Sequence, residues 1–353
     1  MIDHIAIIGV GAVGGLVGGR LAKAGYNVTL IDSWAEHIEA IKKDGLRITT
    51  PESDERVRVR CMHLNDVQSL MRIPVDAAMI ATKSYDTGWA TMMVKDYLSA
   101  NGVVVSLQNC INEERIAGIV GWGRTIGCIA HTISARLEGP GHVVRTRMAG
   151  AAARHVFSVG EVHGRVTERA RQLARIFGAV DGSIVTTNLW GERWAKLSLN
   201  SMHNGLAAVT GLNHHGVAEN ELARRFSIKL GGEAIRIGLA LGFEIGEIRK
   251  VGAKTWLGAS MGDAPSLGEI EKIILAEVKK MTDAGRPSTA QDVQKGRRTE
   301  IEFINGYVAA KGAEVGIAAP AQRAITELVR EVEFGKLAPG MENLGLLVAR
   351  APL

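Results

Sequence analysis

Cysteine is scarce in this chain. Three cysteines, Cys61, Cys110 and Cys128, occur among 353 residues, and none of them forms a CxxC motif. A disulfide framework needs more cysteines than this, and zinc sites need Cys or His at characteristic intervals. His214 and His215 are adjacent, so they would not share a helix face. The sequence therefore predicts neither a disulfide scaffold nor a metal site.

The chain also lacks a long apolar run. The longest uncharged stretch near the start covers residues 5–19 and contains six glycines, whereas a membrane-spanning helix needs about 20 apolar residues. The first residues, Met-Ile-Asp-His, carry no basic cluster, so no secretory signal is expected. These observations favour a soluble, cytoplasmic protein without a membrane partner.

No long run of like charge is present either. The 42 basic and 37 acidic residues give a net charge of +5, and the excess is scattered along the chain. A nucleic-acid partner is therefore not predicted, although a small anionic ligand suits the sign of the charge. Arg145, Arg147 and Arg154 are expected to be surface charges rather than an anion clamp.

Glycine, by contrast, is abundant, with 42 residues. Gly9-x-Gly11-x-x-Gly14 follows an apolar strand at residues 5–8 and opens a small-residue helix that runs to about residue 24. In dinucleotide-binding loops the first glycine allows a tight turn, the second admits a pyrophosphate and the third allows close helix packing. A structural glycine turn and a flavin site are the alternatives. The predicted cofactor loop comprises Gly9, Val10, Gly11, Ala12, Val13 and Gly14.

Asp32 follows the second predicted strand, residues 27–31. An acid at this place accepts hydrogen bonds from the adenosine ribose hydroxyls of NAD and repels the 2′-phosphate of NADP. The sequence therefore favours NAD. Ser33 and nearby basic residues leave NADP as the alternative.

The order of elements predicts two domains. Further strands at residues 77–81, 103–107, 125–130 and 156–159 alternate with helical patterns, which is typical of a doubly wound parallel sheet. After residue 183 the patterns are mainly helical. We therefore predict an α/β, Rossmann-type dinucleotide-binding domain at residues 1–183. A mostly α-helical substrate domain follows at residues 184–353, in which residues 246–286 are assigned only as helices with loops.

Lys196, Asn200 and Asn204 are spaced i, i+4, i+8 within a predicted helix. This spacing places one ammonium and two carboxamides on one helix face, beside an apolar face that includes Trp194 and Leu197. Such a stripe can hold a small polar ligand by hydrogen bonds. A solvated polar face is the alternative.

A second polar group lies farther along the chain, at Ser288, Asp292, Glu300 and Asn305. A continuous helix is predicted from residue 300 to residue 311. The alternative to a functional site here is a polar surface with helix caps.

Taken together, these motifs resemble those of the ketopantoate reductase (2-dehydropantoate 2-reductase) family, nearly from end to end. The resembling segments are Gly9 to Gly15, Ala81-Thr82-Lys83-Ser84-Tyr85-Asp86-Thr87, Leu107-Gln108-Asn109, Lys196-x3-Asn200-x3-Asn204, and Pro287-Ser288-x2-Gln291-Asp292-Val293 followed by Arg298 to Gly306. The resemblance implies a Rossmann domain joined to a helical domain, with the active site in the cleft between them. It also implies that Lys196 is the general acid and Glu300 an essential polar partner. The implied contacts to substrate or cofactor are Lys83, Asn109, Asn200, Asn204 and Ser288.

Several features depart from the family pattern. Cys110 stands where the family has glycine, and we interpret it as a packing residue rather than a reactive thiol. Asp32 departs from the usual preference for NADP. The chain is longer than common members, in the segment 246–286. The family's further polar site residue has no clear match, so Asn213 and His214 are left unassigned.

The sequence thus predicts an oxidoreductase that reduces a small branched 2-oxo acid, such as ketopantoate, to the 2-hydroxy acid. One alternative is an NAD-dependent dehydrogenase that oxidises a different 2-hydroxy acid or hydroxy-ketone. Another is a non-catalytic dinucleotide sensor, which the presence of both Lys196 and Glu300 disfavours. A homodimer is expected rather than a monomer, because the helical domain carries apolar faces.

Overall fold

In the computed structural model, residues 2–131, 133–150, 155–279 and 285–353 are described. The chain divides into two units, Met1–Leu189 and Trp190–Leu353. The sequence places the boundary near residue 183, before a short strand at Ser183–Thr186 that joins the sheet of the first unit.

Twelve strands are present in the described part of the first unit. They are β1 (His4–Ile8), β2 (Asn27–Asp32), β3 (Leu46–Thr49), β4 (Asp54–Val57), β5 (Arg60–His63), β6 (Val75–Ile80), β7 (Leu98–Ser106), β8 (Thr125–Ala130), β9 (Ala135–Gly139), β10 (His142–Arg145), β11 (Phe157–Glu161) and β12 (Ser183–Thr186).

The described residues also form fourteen α-helices. They are α1 (Ala12–Lys23), α2 (Ala35–Asp44), α3 (Thr87–Val94), α4 (Glu113–Val120), α5 (Glu168–Gly178), α6 (Leu189–Thr210), α7 (His214–Glu219), α8 (Glu221–Ala240), α9 (Ala253–Ser260), α10 (Ala264–Val278), α11 (Ser288–Gln294), α12 (Asn305–Glu314), α13 (Pro320–Glu333) and α14 (Asn343–Arg350).

The main sheet of the first unit has eight strands in the order β5-β2-β1-β6-β7-β8-β11-β12. Its first six positions follow the strand order of dinucleotide-binding folds. These six strands pair in parallel, while β11 is antiparallel to β8, so the sheet is mixed rather than wholly parallel. The predicted Rossmann-type fold is confirmed. The glycine loop leaves β1, where chain order reverses across the sheet.

A second sheet, β4-β3-β10-β9, was not predicted from the sequence. It packs against α1, whose glycines allow close approach: a Cβ at Gly19 would lie 2.5 Å from Ile48 Cδ1. At the end of its inner strand β10, Arg145 is buried and forms an ion pair with Asp181, so the expectation of a surface charge at Arg145 is wrong. Arg147 is exposed, and Arg154 lies outside the described residues.

The second unit is helical, as predicted, and α6 runs through it. Trp194 of α6 is buried and donates its Nε1–H to the carbonyl of Ala234 at 2.7 Å. α8 carries Gly238 at this contact, where a Cβ would lie 2.1 Å from the indole nitrogen. α6 is therefore held tightly by its apolar face. Within the described residues, no helix combines the length and apolar character needed to cross a membrane.

Candidate active site

Gly9 and Gly14 are required by the fold of the loop itself. Gly9 has φ +95°, and a Cβ there would lie 2.7 Å from the amide nitrogen of Thr82. A Cβ at Gly14 would lie 2.0 Å from the carbonyl oxygen of Gly9. These close contacts give the two glycines the turn and packing roles inferred from the sequence.

Gly11 meets no such constraint. Its φ is −69°, which other residues adopt readily, and a Cβ there would meet no heavy atom within 4 Å. Gly11 is the N-cap of α1, and no side chain caps this helix. The space beside the helix N-terminus is therefore open, and the helix dipole and its N–H groups favour an anion there.

Asp32, at the end of β2, holds the glycine loop in place. Its carboxylate accepts hydrogen bonds from the backbone N–H of Val10 at 2.6 Å and of Trp34 at 2.8 Å. This structural role was missed by the sequence analysis. In the described ranges no lysine or arginine bonds to Asp32 or Ser33, and the imidazole of His63 contacts the Ser33 carbonyl at 3.0 Å. Each carboxylate oxygen retains a lone pair for a further donor.

The loops that follow β6 and β7 lie at the same sheet edge and are joined by Gln108. Its Nε2 donates to the carbonyl of Thr82 at 2.9 Å and to the Thr87 hydroxyl at 2.8 Å. Lys83 lies within the stretch that these two bonds bracket. The Gln108 side chain thus fixes the Lys83 loop against the loop that carries Asn109.

Asn112 makes a second connection between these loops. Its Nδ2 donates to the Asn109 carbonyl at 2.9 Å and to the Ser84 hydroxyl at 3.2 Å. Asn109 itself is exposed. Cys110 is buried and has φ +67°, so it keeps the left-handed backbone for which glycine is the usual residue. Its burial supports the packing role inferred from the sequence.

In the second unit, the predicted polar stripe lies on α6. Trp194 and Leu197 are buried on the apolar face, while Lys196 and Asn200 are half-buried and Asn204 is 7% exposed. The carboxamides of Asn200 and Asn204 form no hydrogen bond with any described residue. Two amide groups are therefore available to a ligand within two turns of Lys196.

Glu300 is brought to the same helix by packing. It is 6% exposed, and it precedes a short 3₁₀ helix at Ile301–Phe303. Ile301 packs so closely on α6 that a Cβ at Gly205 would lie 3.3 Å from Ile301 Cδ1. Glu300 thus belongs to a segment that contacts α6 beside Asn204. The continuous helix predicted from residue 300 is wrong, because Ile304, with φ −104° and ψ −88°, breaks it before α12.

The remaining predicted polar residues have different surroundings. Ser288 is the first residue of α11, is half-buried, and its hydroxyl has no hydrogen-bond partner among the described residues. Asp292 is buried rather than part of a polar surface.

Asn305 connects α12 to α6 and α13 through its side chain, a role that its sequence did not predict. Its side chain is fully buried, and Nδ2 donates to the Ser201 carbonyl of α6 at 3.0 Å and to Gln322 Oε1 of α13 at 2.8 Å. Asn305 therefore joins α12 to α6 in the turn that separates Asn200 from Asn204. Its place in the resembling segment Arg298 to Gly306 was visible in the sequence, but its partners were not.

Asn213 and His214, which the sequence left unassigned, differ in role. The Asn213 side-chain oxygen accepts the Gly216 N–H at 2.8 Å and caps α7. The His214 ring lies 5.6 Å from the ring of His203 on α6. The His214 side chain therefore lies against the helix that bears Lys196.

Comparison with known proteins agrees with this arrangement. Residues 5–154 match the family described as ketopantoate reductase PanE/ApbA, and residues 188–333 match its C-terminal part. The chain is 30% identical over 335 residues to a 2-dehydropantoate 2-reductase of Archaeoglobus fulgidus, covering 95% of this chain and 99% of the relative.

Two solved structures are similar over nearly the whole chain. A PanE/ApbA family ketopantoate reductase from Ralstonia eutropha JMP134 has a TM-score of 0.77 and 28% identity, covering 94% of this chain and 99% of that one. A D-mandelate dehydrogenase has a TM-score of 0.78 and 23% identity, covering 95% and 100%. Matches to both parts of the chain show that this protein is an oxidoreductase that belongs to the ketopantoate reductase family.

Proposed function

We propose that this protein reduces a small branched 2-oxo acid to the corresponding 2-hydroxy acid with a nicotinamide cofactor. The observation that carries the proposal is the α6 stripe. Lys196 there shares one helix face with the carboxamides of Asn200 and Asn204, neither of which bonds to another described residue. The opposite face of α6 is buried, so packing holds the helix, and with it the backbone of these three residues, in a fixed position.

The chemistry of the stripe suits a ketone substrate. A nicotinamide cofactor, when bound, supplies the hydride that adds to the carbonyl carbon. The developing alkoxide then needs a proton and nearby positive charge, and the Lys196 ammonium provides both. The carboxamides of Asn200 and Asn204 and the hydroxyl of Ser288 can donate hydrogen bonds to the oxygens of the substrate.

Glu300 is assigned as a polar partner of the site. It lies within the resembling segment Arg298 to Gly306 and is held against α6 by the neighbouring Ile301. We propose that Glu300 acts as an acidic polar partner in the site.

The residues of the first unit fit a dinucleotide. The open N-terminus of α1 at Gly11 would hold the pyrophosphate, and Lys83 and Asn109 would contact the cofactor from the loops that Gln108 and Asn112 fix. Asp32 carries a negative charge, and no lysine or arginine among the described residues bonds to it. We therefore assign NAD(H) as the preferred cofactor, with NADP(H) as the alternative.

The names of relatives support the substrate class. The Archaeoglobus fulgidus relative is named 2-dehydropantoate 2-reductase. The D-mandelate dehydrogenase structure was determined with NADH and anilino(oxo)acetate. We propose 2-dehydropantoate as the first substrate to test.

The proposed function can be tested by a panel of 2-oxo acids assayed with NADH and with NADPH. We expect oxidation of NADH with 2-dehydropantoate and with branched analogues. If the protein turns over only 2-hydroxy acids with NAD⁺, it is instead a dehydrogenase that works in the oxidative direction. Tight dinucleotide binding without turnover of any member of either panel would contradict the proposal and favour a sensor.

A further inference from the structure

Arg249 lies outside α6, in the segment between α8 and α9, and its side chain reaches α6. Its Nη2 donates to His203 Nε2 at 2.7 Å, and its Nη1 forms an ion pair with Glu277 of α10. The Arg249 side chain is 10% exposed and His203 is 5% exposed. Two side chains that the proposed chemistry does not use are thus packed together against each other at α6.

The hydrogen bonds of this pair leave two donors unused. Because His203 Nε2 accepts from Arg249, the neutral ring carries its hydrogen on Nδ1. Burial and the Arg249 charge hold the pKa of His203 well below its usual range, so the ring is neutral at pH 7. Neither His203 Nδ1 nor Arg249 Nε has a hydrogen-bond partner among the described residues. Buried donors are nearly always paired, so this cluster lacks an acceptor.

The backbone that carries Arg249 is strained. Ile248 and Val251 exchange two backbone hydrogen bonds, of 2.9 and 3.0 Å, around a two-residue turn. Both central residues have positive φ, +52° at Arg249 and +63° at Lys250. Glycine and asparagine are preferred in such a turn, and strain of this kind is concentrated at functional positions. An arginine here indicates that its side chain is needed where the turn holds it.

The cluster lies on the Lys196 face of α6. His203 follows Lys196 by seven residues, so the two side chains leave the helix in directions that differ by only about 20°. They are about 10 Å apart along the helix axis. In sequence His203 falls between Asn200 and Asn204, whose carboxamides bond to none of the residues that the structure describes. A substrate whose carbonyl is at Lys196 therefore extends toward His203 when its chain follows the helix.

We propose that Arg249 and His203 recognise an oxygen acceptor at the end of the substrate remote from the carbonyl that is reduced. This acceptor is a hydroxyl or a second carboxylate, since the cluster offers only unpaired donors. The inference rests on the proposed function and adds to it the residues that select among 2-oxo acids. Arg249 and His203 are then specificity-determining residues, and Lys196 remains the proton donor.

The test uses Arg249→Gly with Lys250→Gly as its matched control. Glycine relieves the positive φ at either position, but only the first variant removes the guanidinium. Two substrate pairs distinguish the acceptors: 2-dehydropantoate against 3,3-dimethyl-2-oxobutanoate for the hydroxyl, and 2-oxoglutarate against 2-oxopentanoate for the carboxylate. The inference predicts an effect in one of these two pairs. In that pair, Arg249→Gly should raise KM at least tenfold for the compound that carries the acceptor, either 2-dehydropantoate or 2-oxoglutarate. We expect less than a twofold change for the other member, and Lys250→Gly should change neither.

His203→Phe keeps a ring in the core and removes both nitrogens, so it provides a second route to the same loss of selectivity. Equal effects of Arg249→Gly on both members of each pair would overturn the inference while leaving the proposed function intact. Calorimetric binding of 2-dehydropantoate and 2-oxoglutarate to the NADH-loaded protein gives a readout that does not need turnover. Absent binding in the unmodified protein, or affinity unchanged in Arg249→Gly, would also overturn it. The proposed function itself fails only if the unmodified protein reduces no 2-oxo acid.

Discussion

Gly11 and Gly14 lie in one loop, but different constraints explain them. A Cβ at Gly11 meets nothing within 4 Å, whereas a Cβ at Gly14 would lie 2.0 Å from a backbone oxygen. Gly11→Ala should therefore cost at most about 1 kcal/mol of folding free energy, through poorer capping of α1. It should weaken dinucleotide binding at least tenfold, because the methyl group occupies the open space. Gly14→Ala should cost about 3 kcal/mol or more, because backbone must move.

Urea unfolding measures the change in folding free energy of each glycine variant, and a fluorescence titration with NADH measures the change in dinucleotide affinity. Gly25→Ala is unsuitable as a control, because Gly25 has φ +87°. Gly88→Ala is suitable, since a Cβ there also meets nothing within 4 Å and the backbone has an ordinary φ. An unchanged NADH affinity in Gly11→Ala would show that no ligand approaches this position.

Asp32 combines a structural and an electrostatic role. At about 5 Å and an effective dielectric near 20, each unit of charge on a 2′-phosphate is repelled by about 3 kcal/mol before screening. A remainder of about 1.4–3 kcal/mol predicts a roughly ten- to hundredfold preference for NADH over NADPH. Asp32→Asn should reduce this preference in kcat/KM, because it removes the charge. It keeps one of the two oxygens that accept the Val10 and Trp34 amides.

Asp32→Ala should behave differently from Asp32→Asn. It removes the acceptor for the Val10 and Trp34 amides, so it should weaken the binding of both cofactors. The assignment is contradicted if the unmodified protein has a kcat/KM for NADPH equal to or above that for NADH.

At the scale of elements, Glu161 ties the end of β11 to α5. Its buried carboxylate accepts two hydrogen bonds from Arg169, each of 2.7 Å, and one from Thr167. Burial alone would raise the pKa of Glu161, but the bonds from Arg169 and Thr167 lower it below the usual 4.5. Because the pKa is lower in the folded state, this stabilisation is present above about pH 4.5. It is lost as the pH falls through the folded-state pKa.

Glu161→Gln should therefore lower the free energy of unfolding by about 1–3 kcal/mol at pH 7, with a smaller difference below pH 4.5. Urea unfolding across this pH range measures the effect. Glu168→Gln is the matched control, because its ion pair with Arg175 is exposed to solvent and should contribute little to stability. Glu161→Gln and the unmodified protein should differ less in free energy of unfolding at low pH. A difference that stays constant with pH would contradict the proposed role of Glu161.

At the scale of the whole molecule, the predictable parts are those with a local signature. The apolar runs that form β1, β2, β6, β7 and β8 are bounded by turn residues, so their buried strands could be placed from the sequence. The four strands of the second sheet have four or five residues each, too few for a periodic pattern to stand out.

The candidate site likewise has some residues that a local motif predicts and others whose roles depend on distant partners. Motif spacing is local, and it identified the loop glycines and the α6 stripe. The residues that hold the site pair across long stretches of chain: Gln108 with Thr82 over 26 residues, Arg249 with His203 over 46, and Asn305 with Ser201 over 104. A single sequence shows such residues as polar side chains without indicating their partners.

The central claim is that Lys196 supplies the proton in a nicotinamide-dependent reduction. The most direct test is kcat of Lys196→Ala with 2-dehydropantoate and NADH, measured beside the affinity for NADH. General acid catalysis contributes roughly 10²–10⁴-fold, and the dinucleotide loop belongs to the other unit of the chain. We predict that kcat falls by this factor while the NADH dissociation constant changes less than about twofold. A variant that keeps more than about a third of the unmodified kcat would contradict the claim.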